Sequence, residues 1–236
     1  MKLICGLHGF LGDPSDFDLW ANQLGLDTEN CYFPGLLDSK TPLKPNKCLQ
    51  EWAESFNDCI SDNFKQTEKT LIGYSLGGRL ALHALLDNPD MWDRVILLST
   101  NPGLLTYEEK KTRMIQDKKW AQRFTNEPLR EVLNAWNEQP VLAGSSPIQH
   151  SATLEATMRF FPKILENWSL ARQEIAAQDL KSVDYKIQWI MGKEDEKFIS
   201  ILNNLKSMNL AKNSYVHPSC GHRLLQCEAV PGSVTV

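Results

Sequence analysis

The stretch Leu71-Ile72-Gly73-Tyr74-Ser75-Leu76-Gly77-Gly78-Arg79-Leu80-Ala81 decides the fold. It runs from an apolar strand-like segment through Gly-x-Ser-x-Gly into a helix-forming segment, the pattern of a serine held in a tight strand-to-helix turn. Side chains beside such a serine would collide with the turn, and Gly73 and Gly77 remove them. The turn lifts the Ser75 hydroxyl above a sheet and leaves the Leu76 amide at a helix start, where a backbone N–H can face a developing oxyanion. An ordinary glycine-rich turn is the plain alternative. A phosphate loop is not, because the segment lacks both the closing Lys-Ser/Thr and the G-x-G-x-x-G spacing.

Outward from this turn, short runs rich in Ile, Leu and Val predict strands at 2–7, 30–33, 69–74, 94–99, 186–191 and 214–216. Arg94-Val95-Ile96-Leu97-Leu98 is apolar at successive positions, as expected of a strand buried on both faces between helix layers. Strands alternating with helical patterns give an α/β class with a mostly parallel sheet flanked by helices. Over residues 106–177 the strand signal vanishes while apolar residues recur at helical spacing, with helices expected from Tyr107 to Phe124 and again from Pro128. The predicted organisation is a sheet core of residues 1–105 and 178–236, interrupted once by a helical cap of residues 106–177. Beyond Leu225, Pro231 and Gly232 argue against a long closing helix.

A serine hydroxyl needs a base, and the base needs an acid that orients it. In folds with this elbow the chain order is Ser, then Asp or Glu, then His, on loops after later strands. Asp195 in Gly192-Lys193-Glu194-Asp195 and His222 in Ser219-Cys220-Gly221-His222 meet that order. Glu194 and Glu196 read as solvated loop charges, His217 as a structural histidine, and His83 and His150 as surface or packing residues. The turn Leu7-His8-Gly9-Phe10-Leu11-Gly12 after the first strand is where a second oxyanion amide, that of Phe10, is expected.

The 236 residues are 42% hydrophobic and 23% charged, with a formal charge of −4, the profile of one soluble domain. No Lys/Arg block offers a footprint for nucleic acid. No apolar run approaches the ~20 residues of a membrane span, and Leu3-Ile4-Cys5-Gly6-Leu7 reads as a buried strand rather than a signal peptide. Cys5, Cys31, Cys48, Cys59, Cys220 and Cys227 form no CxxC pair and no zinc spacing, so reduced thiols in a cytoplasmic protein are expected. Asn167-Trp168-Ser169 matches a glycosylation triplet of the kind that arises by chance.

The chain resembles an α/β-hydrolase-fold family, the synthases of 2-succinyl-6-hydroxy-2,4-cyclohexadiene-1-carboxylate (SHCHC) in menaquinone biosynthesis. The resemblance covers most of the chain. It is carried by His8-Gly9-Phe10-Leu11-Gly12, the elbow extended to Gly78-Arg79, Asn101-Pro102-Gly103-Leu104, the helix from Arg113 through Asp117 and Trp120 to Phe124, and Trp136-Asn137-Glu138-Gln139-Pro140-Val141. It implies elimination of pyruvate from 2-succinyl-5-enolpyruvyl-6-hydroxy-3-cyclohexene-1-carboxylate with no cofactor and no metal; separately, a monomer or weak homo-oligomer is expected. It also implies substrate contacts from Tyr74, Arg79, Arg113, Trp136 and Arg159. The Met158-Arg159-Phe160-Phe161-Pro162 stretch departs from the polar segment usual there, and the proline-interrupted C-terminus departs from the family's closing helix.

The residues make separate sense of a tricarboxylate ligand, since guanidinium forks bind carboxylates in a planar geometry that lysine does not copy. Arg79 stands one helical turn after Ser75 and can face the same cleft. The plain readings are a solvated i, i+4 pair for Arg113 and Asp117, and core packing for Trp120 and Trp136. Two rivals share these residues. A serine hydrolase working through an acyl-enzyme would line its cleft with apolar side chains. A non-catalytic binding protein on the same fold would not need the complete set of Ser75, Asp195 and His222.

Overall fold

A computed structural model describes residues 2–37 and 47–227. Six strands, β1 (Lys2–Leu7), β2 (Cys31–Tyr32), β3 (Glu68–Tyr74), β4 (Arg94–Leu98), β5 (Ile187–Gly192) and β6 (Ser214–His217), form one sheet in the order β2-β1-β3-β4-β5-β6. Every pairing is parallel. Each strand lies within one residue of its sequence-predicted ends. The shortest, β2, is an edge strand held by two register pairs, Ile4 with Cys31 and Cys5 with Tyr32.

Alternate residues of the central strands enter opposite layers, as a pleat of period two requires. Leu3, Cys5, Leu7, Leu71, Val95 and Leu97 pack into one core. Ile4, Ile72, Ile96, Leu98 and Ile190 pack into the other, with Phe17 and with Trp20 of helix α1 (Asp18–Gln23). The first core is covered by α2 (Leu49–Asn63) and α3 (Leu76–Asp87), where Trp52 and Phe56 stack at 4.9 Å and Phe56 stacks on Trp92 at 5.8 Å. Fully burying each such side chain contributes roughly 1.5–3 kcal/mol, so this layer anchors the helix that begins at the elbow.

Between β4 and β5 the chain forms α4 (Tyr107–Asn126), α5 (Leu129–Asn137), α6 (Ala152–Thr157) and α7 (Phe161–Asn167), joined by short 3-10 turns. Helix α4 starts at Tyr107 because Thr106 and Glu109 close a reciprocal cap: Thr106 Oγ1 accepts from the Glu109 amide at 3.2 Å and Glu109 Oε2 from the Thr106 amide at 2.9 Å. These helices join the core through Phe10, whose ring meets Trp136 at 4.9 Å, Phe161 at 5.5 Å and Phe124 at 5.7 Å. Helix α8 (Glu196–Ser207) follows β5.

The expectation of six reduced thiols is corrected: Cys220 and Cys227 are disulfide-bonded, while Cys5, Cys31, Cys48 and Cys59 are free. The 3-10 turn Leu224–Gln226 folds the chain back and brings the two Cα atoms to 6.2 Å, within disulfide reach. Of the tail 226–236, expected to lack a closing helix, residues 228–236 lie outside the described ones. Among the described residues, no helix is long and apolar enough to cross a membrane.

Candidate active site

Ser75 sits between β3 and α3 with φ 51° and ψ −105°, a left-handed conformation that costs a residue with a Cβ about 1–3 kcal/mol. The surroundings impose it. Its amide donates to Leu98 O at 2.9 Å, and its carbonyl accepts from the Arg79 amide at 3.2 Å. A Cβ at Gly73 would strike the backbone of Gly77 and Gly78, and one at Gly77 the carbonyls of Leu7 and His8. The sequence requirement for a small residue at 73 is thus a backbone-against-backbone contact within the elbow, and that at 77 one between the elbow and the end of β1.

Three chain segments then meet. His222 Nδ1 lies 2.7 Å from Asp195 Oδ2, and His222 Nε2 lies 3.1 Å from Ser75 Oγ. Because a carboxylate only accepts, the Nδ1 proton goes to Asp195 and Nε2 is left to accept the Ser75 hydroxyl proton. Asp195 is 3% exposed and also caps α8, with Oδ1 accepting from the Phe198 amide at 3.2 Å. The aspartate is thereby fixed by the helix it begins. The imidazole stands between the rings of Phe198 at 4.6 Å and Tyr74 at 5.8 Å. Burial pushes the Tyr74 phenol well above its ordinary pKa, so it stays a neutral donor.

Two adjoining cavities open onto Ser75, of about 230 Å³ and about 120 Å³. The larger is lined by Tyr74, His222, Arg113 and Trp136, the smaller by Leu76, Arg79, Arg113 and Trp136, and both by Phe10. Arg79 is 8% exposed, and its Nη1 has no hydrogen-bond partner among the described residues. Burial, with Arg113 adding repulsion, pulls its pKa down to about 9, which leaves it cationic at neutral pH. The hydroxyl of Ser99, also on the smaller cavity, is a second buried polar group without a partner among the described residues.

The solvated-pair reading of Arg113 and Asp117 does not hold. Asp117 is 3% exposed and accepts from Arg113 Nε at 2.8 and 2.9 Å and from Ser169 Oγ at 2.6 Å. Arg159 is a correction: it is exposed on the 3-10 turn Met158–Phe160, with its guanidinium over the Phe160 ring at 4.8 Å, and lines neither cavity. The sequence signal for Arg159 was a family position, whereas the local stretch is apolar and turns the cation outward. His83 is buried in α3 with both ring nitrogens unpartnered among the described residues, His150 pairs with Glu155, and His217 accepts from the Ser219 amide at 3.4 Å.

Sequence reading missed two cations. Lys197, in the first turn of α8, lines both cavities, and burial, with Arg113 nearby, holds its pKa below the usual lysine range. Arg223 lines the larger one and reaches the insertion, bonding Ser146 O and, at 2.7 Å, Asn137 Oδ1. Their positions two residues after Asp195 and one after His222 were the available signal.

A family model for the alpha/beta hydrolase fold matches residues 2–186. An SHCHC synthase of Enterobacter sp. (strain 638) is 30% identical over 226 residues, covering 92% of this chain and 83% of the relative. An SHCHC synthase of Serratia proteamaculans (strain 568) is 36% identical over 210 residues, covering 81% and 76% respectively. MenH from S. aureus superposes with a TM-score of 0.77 at 21% identity, over 94% of this chain and 86% of that one. A serine elbow, its histidine and aspartate, and matches over most of both chains lead to one assignment: this chain belongs to the α/β-hydrolase fold family and, within it, to the 2-succinyl-6-hydroxy-2,4-cyclohexadiene-1-carboxylate synthases.

Proposed function

We infer that this chain is a lyase of menaquinone biosynthesis that eliminates pyruvate from 2-succinyl-5-enolpyruvyl-6-hydroxy-3-cyclohexene-1-carboxylate to give SHCHC. The observation that carries this reading is the guanidinium of Arg79, buried beside Ser75 with its Nη1 unpartnered among the described residues and with Arg113 and Lys197 around the same cavity. In a chain of net charge −4, that concentration of cations suits a substrate with several carboxylates better than a neutral ester.

In this mechanism His222, oriented by Asp195, takes the Ser75 proton, and the serine oxygen removes the ring proton α to the succinyl carbonyl. The electron pair moves through the ring double bond and expels the enolpyruvyl group as pyruvate enolate, leaving the diene. The Phe10 and Leu76 amides stabilise the anionic oxygen, while Tyr74, Arg79, Arg113 and Trp136 orient the carboxylates and ring. Orientation is a large part of the rate, since a misplacement of ~1 Å can cost roughly 100-fold.

The test is pyruvate release from the enolpyruvyl substrate by the purified protein, followed with a coupled dehydrogenase. Ser75→Ala is expected to abolish release. Turnover of the variant near that of the parent, or efficient cleavage of uncharged p-nitrophenyl esters insensitive to Arg79→Ala, would overturn this reading in favour of a hydrolase.

A further inference from the structure

Cys220 and Cys227 bracket His222: their disulfide, spanning a sequence separation of 7, closes a ring of backbone that carries the histidine facing Ser75. The near end of the ring is tied to the sheet, with Cys220 O accepting from the Glu194 amide at 3.0 Å, beside Asp195. Its middle is held by Trp20 Nε1 donating to Leu224 O at 3.2 Å and by burial of Leu224 and Leu225. At the far end, the Gln226 and Cys227 amides bond back to Arg223 O and Leu224 O within the ring itself. The sulfur–sulfur bond is the covalent tie from that end to Cys220, beside the packing of Cys227 against the second core.

The two sulfurs differ in access. Cys220 is 2% exposed, whereas Cys227 is half-buried, and both border an open cavity of about 390 Å³ distinct from the two that reach Ser75. His217 borders it as well, with its ring nitrogen and both sulfurs all within 4.8 Å of one another. A disulfide whose two cysteines border an open cavity, with an imidazole beside it, has the parts for thiol exchange: an entry path and a group that stabilises or protonates a leaving thiolate.

We propose that Cys220 and Cys227 form a thiol–disulfide exchange site whose co-reactant is a dithiol, and that its state sets the reactivity of Ser75 through the placing of His222. A reductant thiolate attacks Cys227 Sγ, the bond to Cys220 breaks, and Cys220 leaves as a thiolate that takes up a proton. The second thiol of the reductant then attacks its own sulfur in the mixed disulfide, releasing Cys227. Two electrons and two protons pass from the dithiol to the protein, and the reductant departs as a disulfide. With the ring open, His222 spends less time in line with Ser75.

The experiment reads Ser75 directly with a fluorophosphonate, so it does not depend on the substrate assigned above. The oxidised protein and the protein reduced with dithiothreitol are labelled in parallel, with alkylation and peptide mass analysis reporting the thiols. Alkylation is expected to find the four cysteines Cys5, Cys31, Cys48 and Cys59 in the oxidised protein under denaturation, and Cys220 and Cys227 in addition after reduction. Ser75 labelling is expected to slow about tenfold on reduction and to recover with oxidised glutathione. Cys227→Ser and the double variant Cys220→Ser/Cys227→Ser, checked by circular dichroism, are expected to label at the slow rate and ignore dithiothreitol. Equal labelling rates in both verified states would overturn the proposal, as would six alkylated cysteines in the oxidised protein. Stoichiometric zinc held by the reduced protein at His217, Cys220 and Cys227 would also overturn it, by making this a metal site. No labelling in either state would sink the triad and this site together, whereas redox-dependent labelling without pyruvate release would sink only the assigned reaction.

Discussion

Ser169 donates its hydroxyl to Asp117 at 2.6 Å, a bond between residues 52 apart in sequence. The same carboxylate takes Arg113 Nε on both oxygens, so the end of the insertion holds the cation that its first helix offers to both cavities. Asp117→Asn keeps the shape but removes the charge that aims Arg113. Its KM for the enolpyruvyl substrate is expected to rise about tenfold, with kcat falling less, in line with the loss of one charge-assisted contact. Ser169→Ala is expected to act in the same direction, more weakly. A KM unchanged in both variants would show that Arg113 does not need this support.

Arg79 and Arg159 separate the buried cation from the exposed one. Arg79→Ala removes a guanidinium with an unpartnered nitrogen beside Ser75 and is expected to lower kcat/KM at least about 100-fold, with Arg79→Lys recovering only part of it. Arg159→Ala is expected to stay within about twofold of the parent, because the parent side chain lies over Phe160 outside both cavities. Steady-state kinetics on the three variants decide the matter, and a large loss at Arg159 would mean that the insertion closes on the substrate.

The elbow's backbone strain predicts an inverted order of stability. Alanine at 75 keeps the cost of φ 51°, whereas glycine adopts that angle freely. Ser75→Gly is therefore expected to be about 1 kcal/mol more stable than Ser75→Ala in denaturant unfolding, although glycine normally weakens a helix start relative to serine. Both should be dead in pyruvate release. An alanine variant as stable as the glycine one would remove the strain from the account.

Two buried histidines tie stability to acid. His8 accepts from the Leu36 amide at Nε2 (3.0 Å) and bonds Gly9 O through Nδ1 (2.8 Å), an arrangement that needs the neutral ring. Burial pulls the pKa of both His8 and His83 from 6.5 to about 4. Above 6.5 neither chain state is protonated; below it the unfolded chain takes up protons that the folded one refuses. Stability is therefore complete above pH 6.5 and falls toward pH 4, by about 1.4 kcal/mol per pH unit for each ring. His83→Leu removes one of these rings and an unpartnered polar group, so unfolding midpoints measured from pH 7 to pH 4.5 should fall less steeply than in the parent. Parallel midpoint curves would refute the assignment.

The centre of the sheet was readable because β4 is apolar on the four consecutive residues after Arg94, and burial on both faces selects that pattern. The triad was readable because its order follows from which strand ends meet above a parallel sheet. Asp117 was not: the i, i+4 spacing to Arg113 is the same on a solvated face and a buried one, and Ser169, which decides between them, comes from the far side of the insertion. Nor was the Cys220–Cys227 bond, since a separation of 7 closes only when the turn at Leu224–Gln226 reverses the chain. Lys197 was lost among the charges around Asp195, where a sequence does not distinguish a cation facing a cavity from one in water.

The contact between Gly77 and the carbonyl of Leu7 gives the loop after β1 and the start of α3 a shared footing. Phe10 lies three residues beyond Leu7 and Leu76 immediately precedes Gly77, so the two residues that line the cavities from the loop and from the helix flank one main-chain contact, and a side chain at 77 would push them apart together.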